Sequence, residues 1–213
     1  MKYGTVIFDL DGTLLDTLQD LANSVNYVLR QFGFPERSLS EVRSFVGNGV
    51  KILLKRSFSH QLEEEDLMRA LDVFRKHYAM HMNDHTGMYE GIEELLIHLH
   101  EKELNLAIVS NKLDSAVKEL NQLYFKKYVP LAVGTPPERK KPDPYSVQEV
   151  MKHYNSTVND TIYVGDSDVD IETAHNAGLK CIGVSWGFRG RKFLEEHGAD
   201  FVIDHPSELL SLL

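Results

Sequence analysis

The chain has a single cysteine, Cys181, so no disulfide can close within it, and a reducing cytoplasmic setting is the expectation. Long apolar runs are absent as well, and none approaches the ~20 consecutive residues of a membrane-spanning helix. The amino-terminal stretch MKYGTVIFDLDG has one lysine and a short apolar run before it meets acid. A secretory signal needs a longer apolar stretch and a small-residue cleavage site. Basic residues are in deficit: 23 Lys and Arg face 32 Asp and Glu, a formal charge of -9. That argues against nucleic acid as a partner, which calls for a basic face. Internal repeats and low-complexity segments are also missing. What remains, 42% hydrophobic and 26% charged over 213 residues, is an ordinary soluble composition. It suits one substantial domain, or a core with a smaller insertion.

Four apolar runs read as buried parallel strands: 5–8, 104–109, 161–164 and 181–184, with weaker ones at 129–133 and 201–203. Cys181 opens the fourth and reads as core packing. Helical stripes lie between them, Ile92, Leu95, Leu96 and Leu99 in one and Val117, Leu120 and Leu123 in another. Gly178 marks the stop of a helix from about Asp170 to Ala177. Strands alternating with helices from residue 86 onward predict a doubly wound parallel α/β sheet, Rossmann-like in kind. Residues 16–85 break the alternation. Leu18, Leu21, Ala22, Val25, Val28, Leu29 and Phe32 fall at helical spacing before Gly33 and Pro35. Ser40 is the expected cap of a second helix, Gly47-Asn48-Gly49 interrupts it, and 51–58 and 63–82 read as two more. The domain expectation is therefore an α/β core from 1–15 and 86–213 with an inserted α-helical cap subdomain at 16–85.

The polar residues gather where the strands end. In TVIFDLDGTLL a turn accounts for Asp11-Gly12, but Asp9 has no turn duty. The run at 104–109 ends in Ser110-Asn111-Lys112, and the run at 161–164 in Gly165-Asp166-Ser167-Asp168, with Asp170 following. Ligands of an open parallel sheet bind beyond the carboxyl ends of its strands, so these residues share one edge. Asp9, Asp11, Asp166, Asp168 and Asp170 cannot all ionise there without a counter-charge. Mg2+ suits a partly hydrated site of two or three carboxylates. A metal makes phosphoryl chemistry accessible, because it screens the carboxylates from a phosphate dianion. Asp9 then reads as nucleophile, forming an aspartyl-phosphate, and Asp11 as the group that protonates the leaving alcohol and later activates water. Ser110 and Asn111 bring a hydroxyl and an amide to the substrate. In KKPDP (140–144), Lys141 is held extended before Pro142 with its ammonium toward the cleft.

The set DLDGT (9–13), SNK (110–112), KP (141–142) and GDSDVD (165–170) resembles the haloacid dehalogenase-like (HAD) hydrolase superfamily, in its order and over essentially the whole chain. The resemblance implies Asp9 as nucleophile and metal ligand, and Asp11 as acid/base with its main-chain carbonyl on Mg2+. It also implies Ser110 and Lys141 as phosphate binders, Asp166 as a third metal ligand and Asp170 as support through water or behind the ligands. The insertion is similar to that superfamily's small helical cap. VGNG (46–49), SNK and SWGFRG (185–190) resemble the phosphoglycolate phosphatase-like subfamily. Two positions depart from it: Lys140 stands where that subfamily has glycine, and Ser146 where it has a third proline. They bear on the substrate rather than on the reaction.

The expected activity is thus a Mg2+-dependent phosphomonoester hydrolase acting on a small phosphorylated metabolite, phosphoglycolate-like, as monomer or homodimer. A sugar-phosphate phosphomutase and a pyrophosphatase or nucleotidase stay open, as does a non-catalytic protein that binds a phosphorylated metabolite. A signalling receiver fits less well, since its acid pair and accepting Asp lie on different strands. Asp168 is expected to cap a helix. His77, His81 and His85 recur every four residues and read as a solvated helix end rather than a metal site. Arg189, Arg191 and Lys192 read as a solvated loop. Tyr27, Phe32, Phe45, Phe58 and Phe74 read as core of the helical insertion.

Overall fold

A computed structural model describes residues 2–213. Its first strand, β1 (Thr5–Phe8), is buried at every position. Burial on both faces is why its apolar residues run on without alternation. After the Asp9–Leu14 turn come β2 (Leu15–Asp16) and the helices α1 (Leu18–Gln31), α2 (Leu39–Phe45), α3 (Val50–Ser57) and α4 (Glu64–His81). Next are β3 (Gly87–Met88), α5 (Ile92–Glu101), β4 (Asn105–Ser110), α6 (Asp114–Leu120), β5 (Leu131–Gly134) and α7 (Tyr145–Tyr154). Then follow β6 (Thr161–Gly165), α8 (Asp168–Asn176), β7 (Lys180–Val184), α9 (Arg191–Glu196), β8 (Phe201–Ile203) and α10 (Leu209–Leu212).

Six strands make one parallel sheet in the order β5-β4-β1-β6-β7-β8. The chain builds outward from β1 in one direction and, starting again at β6, in the other. The β1–β6 boundary is therefore the switch point beyond which an open sheet of this kind receives ligands. On one face Ile7, Ala107, Val109, Tyr163 and Cys181 pack with Val147 and Val150 of α7 and Ile171 and Ala174 of α8. Burying each large aliphatic side chain there contributes about 1.5–3 kcal/mol. Cys181 is a free, buried core residue, as expected.

The chain divides into two compact units, one made of the stretch ending at Leu15 together with Met88–Leu213, the other Asp16–Gly87. In the helical unit α1 buries Leu18, Leu21, Ala22, Val25, Val28 and Leu29, and α4 buries Leu67, Ala70, Leu71, Phe74 and Tyr78. Gly33 (φ +73°) follows α1 in the left-handed region that ends helices. One acid faces this interior. Asp20 accepts the main-chain N–H groups of His85 (3.0 Å) and Thr86 (2.9 Å), the Thr86 hydroxyl (2.9 Å) and the His85 ring Nδ1 (2.9 Å). Phe58 and Phe74 are buried, whereas Tyr27, Phe32 and Phe45 are only half-buried.

Several local expectations need correction. Helix α2 is capped by Ser38, not Ser40: Ser38 accepts from Glu41 N–H and the Glu41 carboxylate returns to Ser38 N–H (2.8 Å). Only Ser38 has the acid three residues on that closes this reciprocal pair. Likewise Asp168 does not cap α8. Ser167 does, with Asp170 completing the pair, while Asp168 lies in the first turn, 4.0 Å from Arg189. β5 begins at Leu131 rather than 129. α4 ends at His81, so His85 lies beyond it. His77 meets Ser24 (2.9 Å) and stacks on Tyr27, and His81 pairs with Asp84 (2.8 Å). The histidines join no metal-capable group among the described residues. No described helix is long and apolar enough to cross a membrane.

Candidate active site

β1 and β6 end side by side, with Phe8 in register with Val164, so Asp9 leaves the sheet beside Gly165 and next to Asp166 at the switch point. Asp170 joins them from the first turn of α8. All three are buried, and each offers a carboxylate oxygen within 4.8 Å of the others. Gly165 is required here, because a Cβ at that position would overlap the Asp170 side chain.

Lys141 lies among these acids. Its ammonium donates to Asp9 Oδ1 (2.7 Å), Asp170 Oδ1 (2.7 Å) and the Tyr163 hydroxyl (3.1 Å). An ammonium has three donors, so all are engaged. Asp170 is satisfied on both oxygens, since Oδ2 accepts from Ser167 Oγ (2.6 Å) and N–H (3.2 Å). Asp9 and Asp166 are not. Asp9 uses Oδ1 alone, and Asp166 uses only Oδ2, which accepts from Phe188 N–H (2.6 Å). One oxygen on each has no hydrogen-bond donor among the described residues.

Asp11 stands at the rim, its carboxylate held by Lys112 Nζ at 2.8 and 3.2 Å. Ser110, last residue of β4, is buried; its Oγ accepts from Lys112 N–H (3.3 Å) and its own proton is given to no described group. Asn111 Oδ1 accepts from Thr135 Oγ1 and Lys141 N–H, both 2.8 Å, and its Nδ2 donates to Lys141 O (3.1 Å). Its side chain therefore fixes the backbone that carries Lys141. The structure thus brings every expected site residue to one sheet edge. Lys112, which the SNK run brings to this edge, joins them, as do Tyr163 and Thr135, which no motif marks. Tyr163 had a readable signal: a tyrosine inside an otherwise apolar strand needs a hydroxyl partner.

Burial pushes the Asp9 carboxyl up to about 7, with Lys141 opposing and Asp170 and Asp11 adding to it. Burial also drives Asp166 well above the carboxylate range, with Asp170 and Asp9 adding. Burial works against the charge on Lys141, yet Asp170 and Asp9 hold its pKa well above the usual value. Formally Asp9, Asp11, Asp166 and Asp170 face Lys112 and Lys141, leaving two negative charges in excess before Arg189 is considered. Hard carboxylate oxygens and a formal excess of this size fit a hard divalent cation, which would take the place of the protons that burial favours.

The profile of the haloacid dehalogenase-like hydrolase family matches residues 6–184. The phosphoglycolate phosphatase of Pseudomonas syringae pv. tomato is 34% identical, over 96% of this chain and 78% of that protein. That of Vibrio parahaemolyticus is 32% identical, over 98% and 95%. A crystal structure from Lactobacillus delbrueckii subsp. bulgaricus, described provisionally as a phosphoglycolate phosphatase, is 33% identical and superposes with a TM-score of 0.92, covering 100% of this chain and 98% of that one. The chain belongs to the haloacid dehalogenase-like hydrolase family. Within it, the chain is phosphoglycolate phosphatase-like.

Proposed function

We propose that the protein is a Mg2+-dependent phosphomonoester hydrolase that works through an aspartyl-phosphate on Asp9. That it is a phosphatase rests on its family and on relatives similar over nearly its whole length. One observation carries the finer reading: buried Asp9 and Asp166 converge at the β1–β6 switch point, each with an oxygen that no described group engages. A structural carboxylate would not be left so.

Asp9 and Asp166 would hold Mg2+ through their side chains and Asp11 through its main-chain carbonyl, with Asp170 supporting from behind. When bound, Mg2+ screens the carboxylates from the phosphate dianion and polarises the phosphoryl oxygens. The Asp9 carboxylate attacks phosphorus and the bond to the alcohol oxygen breaks. Asp11 gives that oxygen its proton. Asp11, now a carboxylate, takes a proton from water as the water attacks the same phosphorus. The bond to Asp9 then breaks, releasing inorganic phosphate and restoring the enzyme. The Ser110 proton suits a phosphoryl oxygen, and Lys141 balances charge on Asp9 throughout.

The substrate in this reading is a small phosphorylated metabolite, phosphoglycolate first, as the names of its relatives suggest. In this reading the helical unit Asp16–Gly87 is the cap subdomain of the enzyme. The enzyme acts in the cytoplasm, consistent with its single free cysteine. Release of phosphate from phosphoglycolate, glucose 1-phosphate and pyrophosphate, with Mg2+ and with EDTA, tests the proposal. Turnover of phosphoglycolate only with Mg2+ supports it, and equal rates in EDTA refute it.

A further inference from the structure

The turn after β7 reaches two parts of the site at once. Trp186 Nε1 donates to the carbonyl of Thr13 (3.0 Å), inside the DLDGT loop. Two residues on, Phe188 N–H donates to Asp166 Oδ2 (2.6 Å), and the Phe188 ring lies 2.9 Å from where a Cβ on Gly12 would be. Between them Gly187 is buried against both parts: a Cβ there would overlap Asp166 Cβ and the Gly12 carbonyl. Gly187 is not left-handed, so glycine is required by space alone and not by backbone conformation. Gly12 is the complement, left-handed (φ +89°) and equally without room beside Asp166.

We infer that Trp186-Gly187-Phe188 is a positioning clamp that locks the Asp9–Thr13 loop and Asp166 in the relative placement that receives the cation. A charge-assisted bond to Oδ2 fixes the rotation of the Asp166 carboxylate and leaves Oδ1 as the oxygen to offer. The indole bond holds the other half of the site at a matched distance. Groups behind metal ligands commonly contribute 10–100-fold to affinity through such orientation.

The inference rests on the magnesium reading above, and the experiment separates the two. Trp186 is the only tryptophan, so its emission reports on the clamp directly. Mg2+ alone is titrated into the wild type, Gly187→Ala, Trp186→Phe and Ser185→Ala, by calorimetry and, where Trp186 is retained, by fluorescence. Ser185 is on the same turn, but its hydroxyl pairs with Asp204, away from the site. The expectation is Mg2+-dependent emission in the wild type and Ser185→Ala, with equal affinities. Gly187→Ala should bind at least about tenfold more weakly, and Trp186→Phe severalfold more weakly, with kcat recovered at high Mg2+. If Gly187→Ala does not fold, Trp186→Phe decides by the same measure. Wild-type binding matched by Trp186→Phe, or emission that ignores bound Mg2+, overturns the clamp and leaves the magnesium reading intact. No Mg2+ binding by the wild type overturns both.

Discussion

Asp20 in the helical unit and Asp9 at the end of β1 are both buried carboxylates, and the protein treats them in opposite ways. Burial alone would raise both. At Asp20 the hydrogen bonds from His85 and Thr86 outweigh it, and its pKa lies below the usual carboxylate value. At Asp9 Lys141 is the sole side-chain donor among the described residues, burial prevails, and the pKa stands at about 7. The engaged acid fits a structural part, and the one with an oxygen left over fits the part proposed for Asp9.

The largest expected effect comes from Asp9→Asn. Turnover should fall by at least about a thousandfold, while the fold survives without Mg2+, because the amide copies the neutral acid that burial favours. Phosphatase rates together with far-UV circular dichroism check this, and near-normal activity would reassign the nucleophile. Asp20→Asn inverts the pattern. An amide cannot accept from four donors, so stability should drop by about 2–4 kcal/mol, read from urea melts. A stable Asp20→Asn would erase the distinction between the two acids.

Their pH dependences should also oppose. Asp9 and Asp166 bind protons more tightly folded than unfolded, so their contribution is full below about 4, the unfolded value; that of Asp9 is lost as pH rises through about 7, and that of Asp166 declines in the same sense. Melts in EDTA across that window should show falling stability, by up to about 1.4 kcal/mol per pH unit for each proton. Saturating Mg2+ should flatten the slope, and a metal-free protein that gains stability toward neutrality would contradict it. Asp20 acts in the other sense: its contribution is present above the unfolded value and is lost only as pH falls below it. The smallest effect concerns a neutral group. Ser146 Oγ is buried without a partner among the described residues, so Ser146→Ala should stabilise by about 1 kcal/mol, seen as a raised Tm.

Much of this was legible in the chain. The continuous apolar runs required a sheet buried on both faces, and the acids after two of them named the edge that matters. The cap of α2 was legible too, although composition alone did not single it out. Ser38 and Ser40 are equally good caps by composition, and the choice falls to the serine whose acid lies three residues on. Lys112 was visible in SNK, but its bond to Asp11 spans 101 positions, and no local pattern predicts it. The roles of Trp186 and Phe188 were hidden for the same reason, their partners lying in loops far away in sequence.

The order and kind of residues determined, by themselves, that a parallel sheet would form and that carboxylates, a hydroxyl and a lysine would collect at one edge. Only the tertiary structure decided which oxygens receive a proton donor and which do not. Hydrogen bonds form or fail over tenths of an ångström, and Lys141 meets Asp9 across 132 positions of chain. Such distances are set by the packing of the whole sheet unit, which no local stretch of sequence encodes.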